Sequence, residues 1–431
     1  MSHPMDAKDH APRSGGTEPS APGAPGAPGP AGGPVSASGA AGQDREPQAE
    51  RRREGASGAF APAALKARAL PKHAVWYVAA ASIIAAIAAS FLFTGGFSIA
   101  LVALLAGLIN LAAVFAWSAA VEGRRKAVDR SATTLVTSSF LIACIPLVSL
   151  LWMTVANGLP VIIDSPTVLT RTMAGMKGVF DQKFVHGEGP LVGGFYHAII
   201  GTLLITLFAS IISIPIGVLT AIYLVEYANR NRLGKAITFL VDVMTGIPSI
   251  VAGLFAFALF GTVIGLVSPG SLADTKFGFA AAVALSVLMI PVVVRNTEEI
   301  LRLVPMDLRE ASYALGVPKW KTIVKIVLPT AVSGILSGIT IAIARVIGET
   351  APIMVTAGFA TSMNWNVFSG WMSTLPTYIY DSQMRPTSPG VAAIASSDRA
   401  WAAALVLILL VMLLNLAARI IAHVLAPKAG R

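Results

Sequence analysis

Long apolar runs alternate with polar connections along most of the chain, and this pattern predicts a membrane protein. About 20 apolar residues in a helix cross the ~30 Å hydrocarbon core of a bilayer. Runs of at least that length cover residues 74–94, 97–119, 133–155, 195–225, 236–266, 278–303, 328–357 and 401–425. Runs of this length favour helices over strands, and a helix satisfies its own backbone hydrogen bonds in lipid. The expected fold is an all-α polytopic membrane protein with about eight transmembrane helices.

Composition supports this fold and separates the chain into parts. Hydrophobic residues make up 55% of the chain, charged residues 13%, and the mean hydropathy is +0.71. Residues 1–72 differ, because they are rich in Ala, Pro, Gly and Ser and offer too little apolar surface to offset the entropy of ordering. We expect a disordered tail over 1–72, two additional transmembrane helices over 73–132, and a six-helix domain over 133–427. The tail does not resemble a signal peptide, since the first apolar run starts near residue 74.

Basic residues occur in every second connection, which indicates the orientation. They precede the first run, follow the last, and lie at 124–130, 230–235 and 319–325. An excess of Lys and Arg marks the cytoplasmic side, so both termini are expected in the cytoplasm. The connections at 156–194, 267–277 and 358–400 hold mixed charge and are expected outside. The net charge of +10 then reflects topology and anionic lipid headgroups, and no motif favours a nucleic acid.

The connection over 305–329 has the pattern of a docking element. Asp307 is the predicted N-cap of a short helix, and Gly316 is its predicted stop. The small residues between them allow another surface to approach the backbone closely, and a polar ordered loop between two apolar runs suits a soluble partner. Capping and periodicity alone leave an ordinary connector as the alternative. The residues that we expect to form the contact are Glu310, Ala311, Ser312, Leu315 and Gly316.

This loop and three other segments resemble a known family. The Glu-Ala-Ser start at 310–312, Gly316, and Ile-x-Leu-Pro at 326–329 resemble the EAA loop of bacterial ABC-importer permeases. Segments 201–228, 246–253, 308–318 and 344–352 are similar to the PstA-type permeases of phosphate importers. The Gly-Glu-Thr-Ala-Pro ending of the last segment favours the PstA type over the PstC type. The similarity covers roughly residues 133–425, while the tail and the first two runs depart from the family pattern.

The resemblance implies a fold, partners and a function. It implies a type I importer permease core that forms half of a pathway for inorganic phosphate in the bacterial cytoplasmic membrane. The implied partners are a PstC-like second permease, a dimer of ATP-binding subunits and an extracytoplasmic phosphate-binding protein. The chain has no G-x-x-x-x-G-K-[ST] phosphate loop. ATP-Mg is therefore expected on the partner ATPase, with no cofactor bound by this chain and no enzymatic role for it.

Charges within the apolar runs are the candidate substrate pathway. Arg345 and Glu349 are one helical turn apart, and a charge at membrane depth costs ~2.5–3.5 kcal/mol unless it is paired or faces a cavity. An Arg fork suits phosphate oxygens, with Glu349 holding it in place. A purely structural ion pair is the alternative.

Asp242 and Arg295 are further candidates at the cytoplasmic ends of their runs. They are placed to pair and close an inner gate, or else Arg295 snorkels to headgroups while Asp242 sits in a wet vestibule. Glu298 and Glu299 are expected to be plain interfacial residues. The single cysteine and the scattered histidines have no ligand-like spacing, so no metal site is predicted.

Proline and glycine positions predict how the helices are interrupted and packed. Pro215, Pro248, Pro291 and Pro352 each remove a backbone donor, so we expect broken helices at these points. Gly334 and Gly338 have the spacing of a close helix contact, and the second permease is the expected partner.

Other classes of function remain open at this stage. A permease for another oxyanion, such as molybdate, sulfate or phosphonate, would share the same motifs. An ion-coupled secondary carrier would need no docking loop and would be expected to show repeats or a cation site. A membrane enzyme would need a catalytic constellation, and none is recognisable in the sequence.

Overall fold

A computed structural model of the protein describes residues 71, 74–94, 96, 98–228, 231–267 and 275–425. All regular structure within these ranges is helical, and eight of the helices are long and apolar enough to cross a membrane. The all-α polytopic prediction is therefore confirmed. Apart from Pro71, the predicted disordered tail lies outside the described residues.

The helices follow the predicted runs, with several shorter elements between them. They are α1 (Ala74–Thr94), α2 (Ile99–Glu122), α3 (Arg124–Asp164), α4 (Gly178–Val185), α5 (Tyr196–Ile222), α6 (Arg232–Thr245), α7 (Ser249–Val267), α8 (Gly278–Leu303), α9 (Met306–Ala314), α10 (Lys319–Thr322), α11 (Leu328–Ile347), α12 (Ala351–Thr356), α13 (Leu375–Met384) and α14 (Ala393–Leu425). A π turn, Tyr223–Tyr227, extends α5, and a second, Ile323–Val327, joins α10 to α11.

The two additional helices are joined to the core by one long helix. Helix α1 packs on α2, α2 packs on α3, and α3 also packs on α14. The contact with α14 is close, since a Cβ at Gly158 would lie 2.6 Å from the Trp401 carbonyl oxygen. Helix α3 is 41 residues long, so the expected boundary between residues 132 and 133 lies inside it. The additional helices and the core thus share a continuous element.

The core is built around α8, which contacts α5, α7 and α11. Its buried side chains include Leu285, Met289 and Val293. On α11, a Cβ at Gly334 would lie 2.6 Å from the Ile300 side chain, and one at Gly338 would lie 2.6 Å from that of Asn296. The two glycines therefore let α11 approach α8 of the same chain. The prediction that they face the second permease was wrong.

Two of the predicted spans are each divided into two helices, and the helix breaks expected at two of the four prolines are absent. The run 236–266 divides at 246–248 into α6 and α7, and the run 328–357 divides at 348–350 into α11 and α12. Pro215 and Pro291 lie inside the continuous helices α5 and α8, so the breaks predicted there were wrong. Each proline removes one backbone donor, but the tight packing of α5 on α8 holds the rest of both helices in place.

Candidate coupling surface and charge clusters

Helix α9 is a short element with a defined start and stop. It begins after Pro305, which occupies the N-cap position, so the prediction of Asp307 as N-cap was wrong. Asp307 lies in the first turn instead, where its carboxylate favours the positive end of the helix dipole. At the other end Gly316 has φ +74°, its N–H donates to the Tyr313 carbonyl (2.9 Å), and the Val317 N–H donates to the Ser312 carbonyl (3.2 Å). This Schellman motif confirms the predicted stop.

A buried ion pair fixes α9 to the end of α5. Arg309 donates to Glu226 Oε1 from Nε at 3.2 Å and from Nη2 at 3.0 Å. It also donates to the carbonyls of Leu301 (3.0 Å) and Val304 (2.6 Å) at the end of α8, and to Met306 Sδ (3.6 Å). The side chains of Arg309 and Glu226 are only 7% and 6% exposed. One guanidinium therefore joins α5, α8 and α9 at a single point.

Two further contacts hold the segment after α9. Lys319 donates to the Glu226 carbonyl and lies 5.0 Å from the centroid of the Tyr227 ring. The hydroxyls of Ser312 and Thr322 are 2.8 Å apart, which joins α9 to α10. Ser312 is buried, so its side chain positions the helix and does not lie on the outer surface.

The outer surface of α9 is partly apolar and is not covered within the described part of the chain. Leu315 is 84% exposed, and Met306 at the start of α9 and Trp320 on α10 are also exposed. Glu310 and Ala311 are exposed on the same helix. Exposed apolar residues grouped on a firmly anchored helix make this surface a candidate for a protein contact. We call Met306, Glu310, Ala311, Leu315 and Trp320 the α9 surface.

A second charge cluster joins α6 to α8 at the same end of the molecule. Asp242 accepts from Arg295, so the expected pair is present, although Asp242 lies on α6 and not inside a membrane-spanning helix. Arg295 also lies 3.1 Å from Glu298, which in turn lies 2.5 Å from Arg302. Glu298 is buried between the two arginines, so the prediction of a plain interfacial residue was wrong for it. Glu299 is exposed.

Arg345 and Glu349 do not form the ion pair that their spacing suggested. Helix α11 ends at Ile347, and Glu349 lies in the break before α12, so helical spacing no longer brings the two side chains together. Among the ion pairs of the described residues, none includes either side chain. Arg345 is exposed and follows Ser333, Ser337 and Ile341 at four-residue intervals along one exposed line of α11.

The opposite end of the molecule holds a buried ion pair that the sequence did not predict. Arg399 donates to both carboxylate oxygens of Asp181 at 2.8 Å, and further to the Val192 carbonyl (3.0 Å) and the Ser396 hydroxyl (3.1 Å). Both side chains are almost fully buried. This contact fixes α4 against the start of α14. An Arg at the entrance of a long apolar run is the signal in the sequence that a partner is required.

No group of three His, Cys, Asp or Glu side chains in the described ranges is placed to hold a metal ion. The described features define a polytopic helical membrane protein with a short, firmly anchored and partly apolar helix at one end of its core.

Comparisons with known proteins agree with this class. The family described as binding-protein-dependent transport system inner membrane component matches residues 213–431. Phosphate transport system permease protein PstA 1 of Mycobacterium tuberculosis (strain CDC 1551 / Oshkosh) is 46% identical over 70% of this chain and 90% of its own length. PstA of Mycobacterium leprae (strain TN) is 45% identical over 69% and 89%. The chain belongs to this inner membrane component family, among the PstA permeases.

A solved structure also resembles the chain. A chain of the MetNI methionine ABC transporter, in an inward-facing conformation, aligns with a TM-score of 0.40 at 21% identity. The alignment covers 54% of this chain and 94% of that one.

Proposed function

We propose that this chain is the transmembrane permease subunit of an ATP-driven inorganic phosphate importer. It forms half of the translocation pathway and couples ATP hydrolysis on a separate ATPase subunit to that pathway. The observation that carries the proposal is the α9 surface, an exposed apolar patch on a helix that is firmly anchored to the core. The substrate follows from the phosphate transport permeases to which the chain is 45–46% identical.

The anchoring of α9 supports a role in mechanical coupling. A docking helix transmits a movement only if it moves together with the helices that line the pathway. Arg309 bonds to groups at the ends of α5 and α8, and both helices pack against each other along the core. A displacement of α9 by the ATPase would therefore reach α5 and α8 without an intervening flexible segment.

The pathway itself is best placed along the exposed line of α11. A membrane-spanning face that carries Ser333, Ser337 and Arg345 is poorly suited to lipid, since a charge at membrane depth needs a cavity or a partner. A second, PstC-like permease packed over this line would enclose a polar path between the two chains. Arg345 then offers a bidentate fork to phosphate oxygens. Asp242 and Arg295 would close the cytoplasmic end of the same path.

The remaining partners follow from this arrangement. A dimer of ATP-binding subunits would dock on the α9 surface, and an extracytoplasmic phosphate-binding protein would deliver the substrate at the opposite end. The basic connections favour an orientation with α9 and both termini in the cytoplasm of a bacterium and the helices in its inner membrane. ATP-Mg would be bound and hydrolysed on the ATPase.

Substitutions on the α9 surface test the proposal. Leu315→Glu and Glu310→Lys alter exposed side chains and leave the buried anchor intact, so the chain should still insert and fold. We expect less ATPase to co-purify with either variant and phosphate uptake to fall with it. Glu299→Lys, an exposed position on α8, is the matched control and should behave like the unmodified chain. Normal co-purification and uptake in both α9 variants would remove the docking role.

A further inference from the structure

A small polar cavity lies at the end of the core opposite α9. It has a volume of about 130 Å³ and is bounded by the start of α5, by α13 and by the segment that follows α12. At ~30 Å³ per water molecule, the space is enough for roughly four waters or for one tetrahedral oxyanion.

Two buried side chains present unpartnered polar groups to this cavity. His197 is 3% exposed and Tyr378 is 5% exposed, and their rings meet edge to face at 5.6 Å between centroids. Within the described residues, neither ring nitrogen of His197 has a hydrogen-bond partner, and the Tyr378 hydroxyl also lacks one. Ala360 lies next to His197, and Ser382 and the Arg399 guanidinium lie next to the Tyr378 hydroxyl, but none of these contacts reaches hydrogen-bond geometry. Both residues line the cavity, and buried polar atoms without a partner require a polar occupant beside them.

The chemistry of the walls points to an anion that also carries a proton. Arg385 also lines the cavity with its side chain 60% exposed, and it lies 2.5 Å from Asp381 and 4.4 Å from the centroid of the Phe359 ring. Burial raises the pKa of the Tyr378 hydroxyl, which keeps it a donor at neutral pH. Arg385, Tyr378 and one nitrogen of His197 are thus donors for oxyanion oxygens. The Asp381 carboxylate only accepts, so it repels a fully deprotonated anion and bonds to one that has an O–H group.

We propose that this cavity binds hydrogen phosphate or dihydrogen phosphate within the single permease chain, and that Asp381 selects the protonated oxyanion against sulfate. The site is separate from the line of Arg345 on α11. It would hold the substrate at the outer end of the pathway before the anion enters the space between the two permeases. The identity of the anion rests on the function proposed above.

Radiolabelled phosphate tests the site directly. The complex of this chain with its second permease and ATPase, purified without the binding protein, is titrated with inorganic phosphate. Because a hydrogen bond to a charged ligand is at stake, Tyr378→Phe should weaken binding roughly tenfold or more. His197→Leu should weaken it similarly. Tyr380→Phe, an exposed neighbour on α13, is the matched control and should leave binding unchanged.

Competition between sulfate and phosphate provides a second readout, which would not change if Asp381 only helped to pack the core. Excess sulfate should not displace phosphate from the unmodified complex, but should displace it from the Asp381→Asn complex, where Arg385 has lost its carboxylate partner. Asp164→Asn, at the exposed end of α3, serves as the control for the loss of a charge. Because Asp381 is partly exposed, its substitution should not impair folding.

The outcomes of these experiments distinguish a failure of the proposed site from a failure of the proposed function. Unchanged phosphate binding in both Tyr378→Phe and His197→Leu would show a cavity filled by water only and would overturn the site. Equal competition by sulfate in the Asp381→Asn and unmodified complexes would overturn the selectivity. Phosphate uptake by the unmodified transporter, measured alongside, decides the proposed function independently. If uptake is present while the cavity variants bind normally, only the present inference fails.

Discussion

Removing the Arg309 guanidinium should disconnect α9 from the core. In Arg309→Met the side chain keeps much of its apolar volume but loses every bond to Glu226, Leu301 and Val304. The carboxylate of Glu226 then remains buried without its counter-ion, because its side chain is only 6% exposed. Lys319 bonds to the backbone carbonyl of Glu226 and does not replace the lost contact with the carboxylate.

The expected cost is large. Breaking a buried ion pair by removal of one partner costs ~3–5 kcal/mol, and every ~1.4 kcal/mol is a factor of ten in an equilibrium. The population in which α9 is detached from α5 and α8 should therefore rise by roughly two to four orders of magnitude. Arg302→Met is the control, because Arg302 is 66% exposed and its loss should cost no more than ~1 kcal/mol.

Limited proteolysis of the membrane-embedded complex and phosphate uptake are the two assays. We expect Arg309→Met to expose the 304–318 segment to cleavage by chymotrypsin and to reduce uptake. Replacing both partners, as in Glu226→Leu with Arg309→Met, removes the unpaired charge and should recover part of the protease resistance. Cleavage and uptake in Arg309→Met equal to those of the unmodified chain would refute the anchoring role.

Three other changes have defined outcomes. Gly316→Val places a β-branched residue at φ +74°, which costs ~1–2 kcal/mol or more and should weaken ATPase capture, whereas Gly187→Val has the same φ far from α9 and should not. Arg345→Lys keeps the charge but loses the bidentate fork, so phosphate uptake should fall sharply, while the exposed control Arg419→Lys should transport normally. Deletion of residues 1–66 should leave uptake largely intact, and a large defect in stably expressed protein would show that the tail is functional.

The membrane-spanning helices were predictable because length and hydropathy are local properties of the sequence. The run 236–266 was misread as one span because α6 also carries many apolar residues. Phe239 and Leu240 are exposed on α6, and Asp242 forms an ion pair with α8. Counting apolar residues alone cannot separate such an amphipathic helix from the span that follows, although the helix break expected at Pro248 does fall at the division.

The candidate site was predictable only where its geometry is local. The stop at Gly316 depends on neighbouring residues of one turn, and it was expected from the sequence. The anchor of α9 joins Arg309 to Glu226, 83 residues away, and no local pattern specifies that contact. The pair of Arg345 and Glu349 was expected from helical spacing, which fails because α11 ends two residues before Glu349.

ATP-dependent phosphate uptake in a reconstituted system tests the central claim most directly. Proteoliposomes would contain this chain, the second permease and the ATPase, with the binding protein supplied outside and ATP inside. We expect accumulation of radiolabelled phosphate only with ATP, resistance to excess sulfate, molybdate or phosphonate, and loss of accumulation in Leu315→Glu. Accumulation driven by an ion gradient without ATP, or transport of another oxyanion in preference to phosphate, would contradict the account.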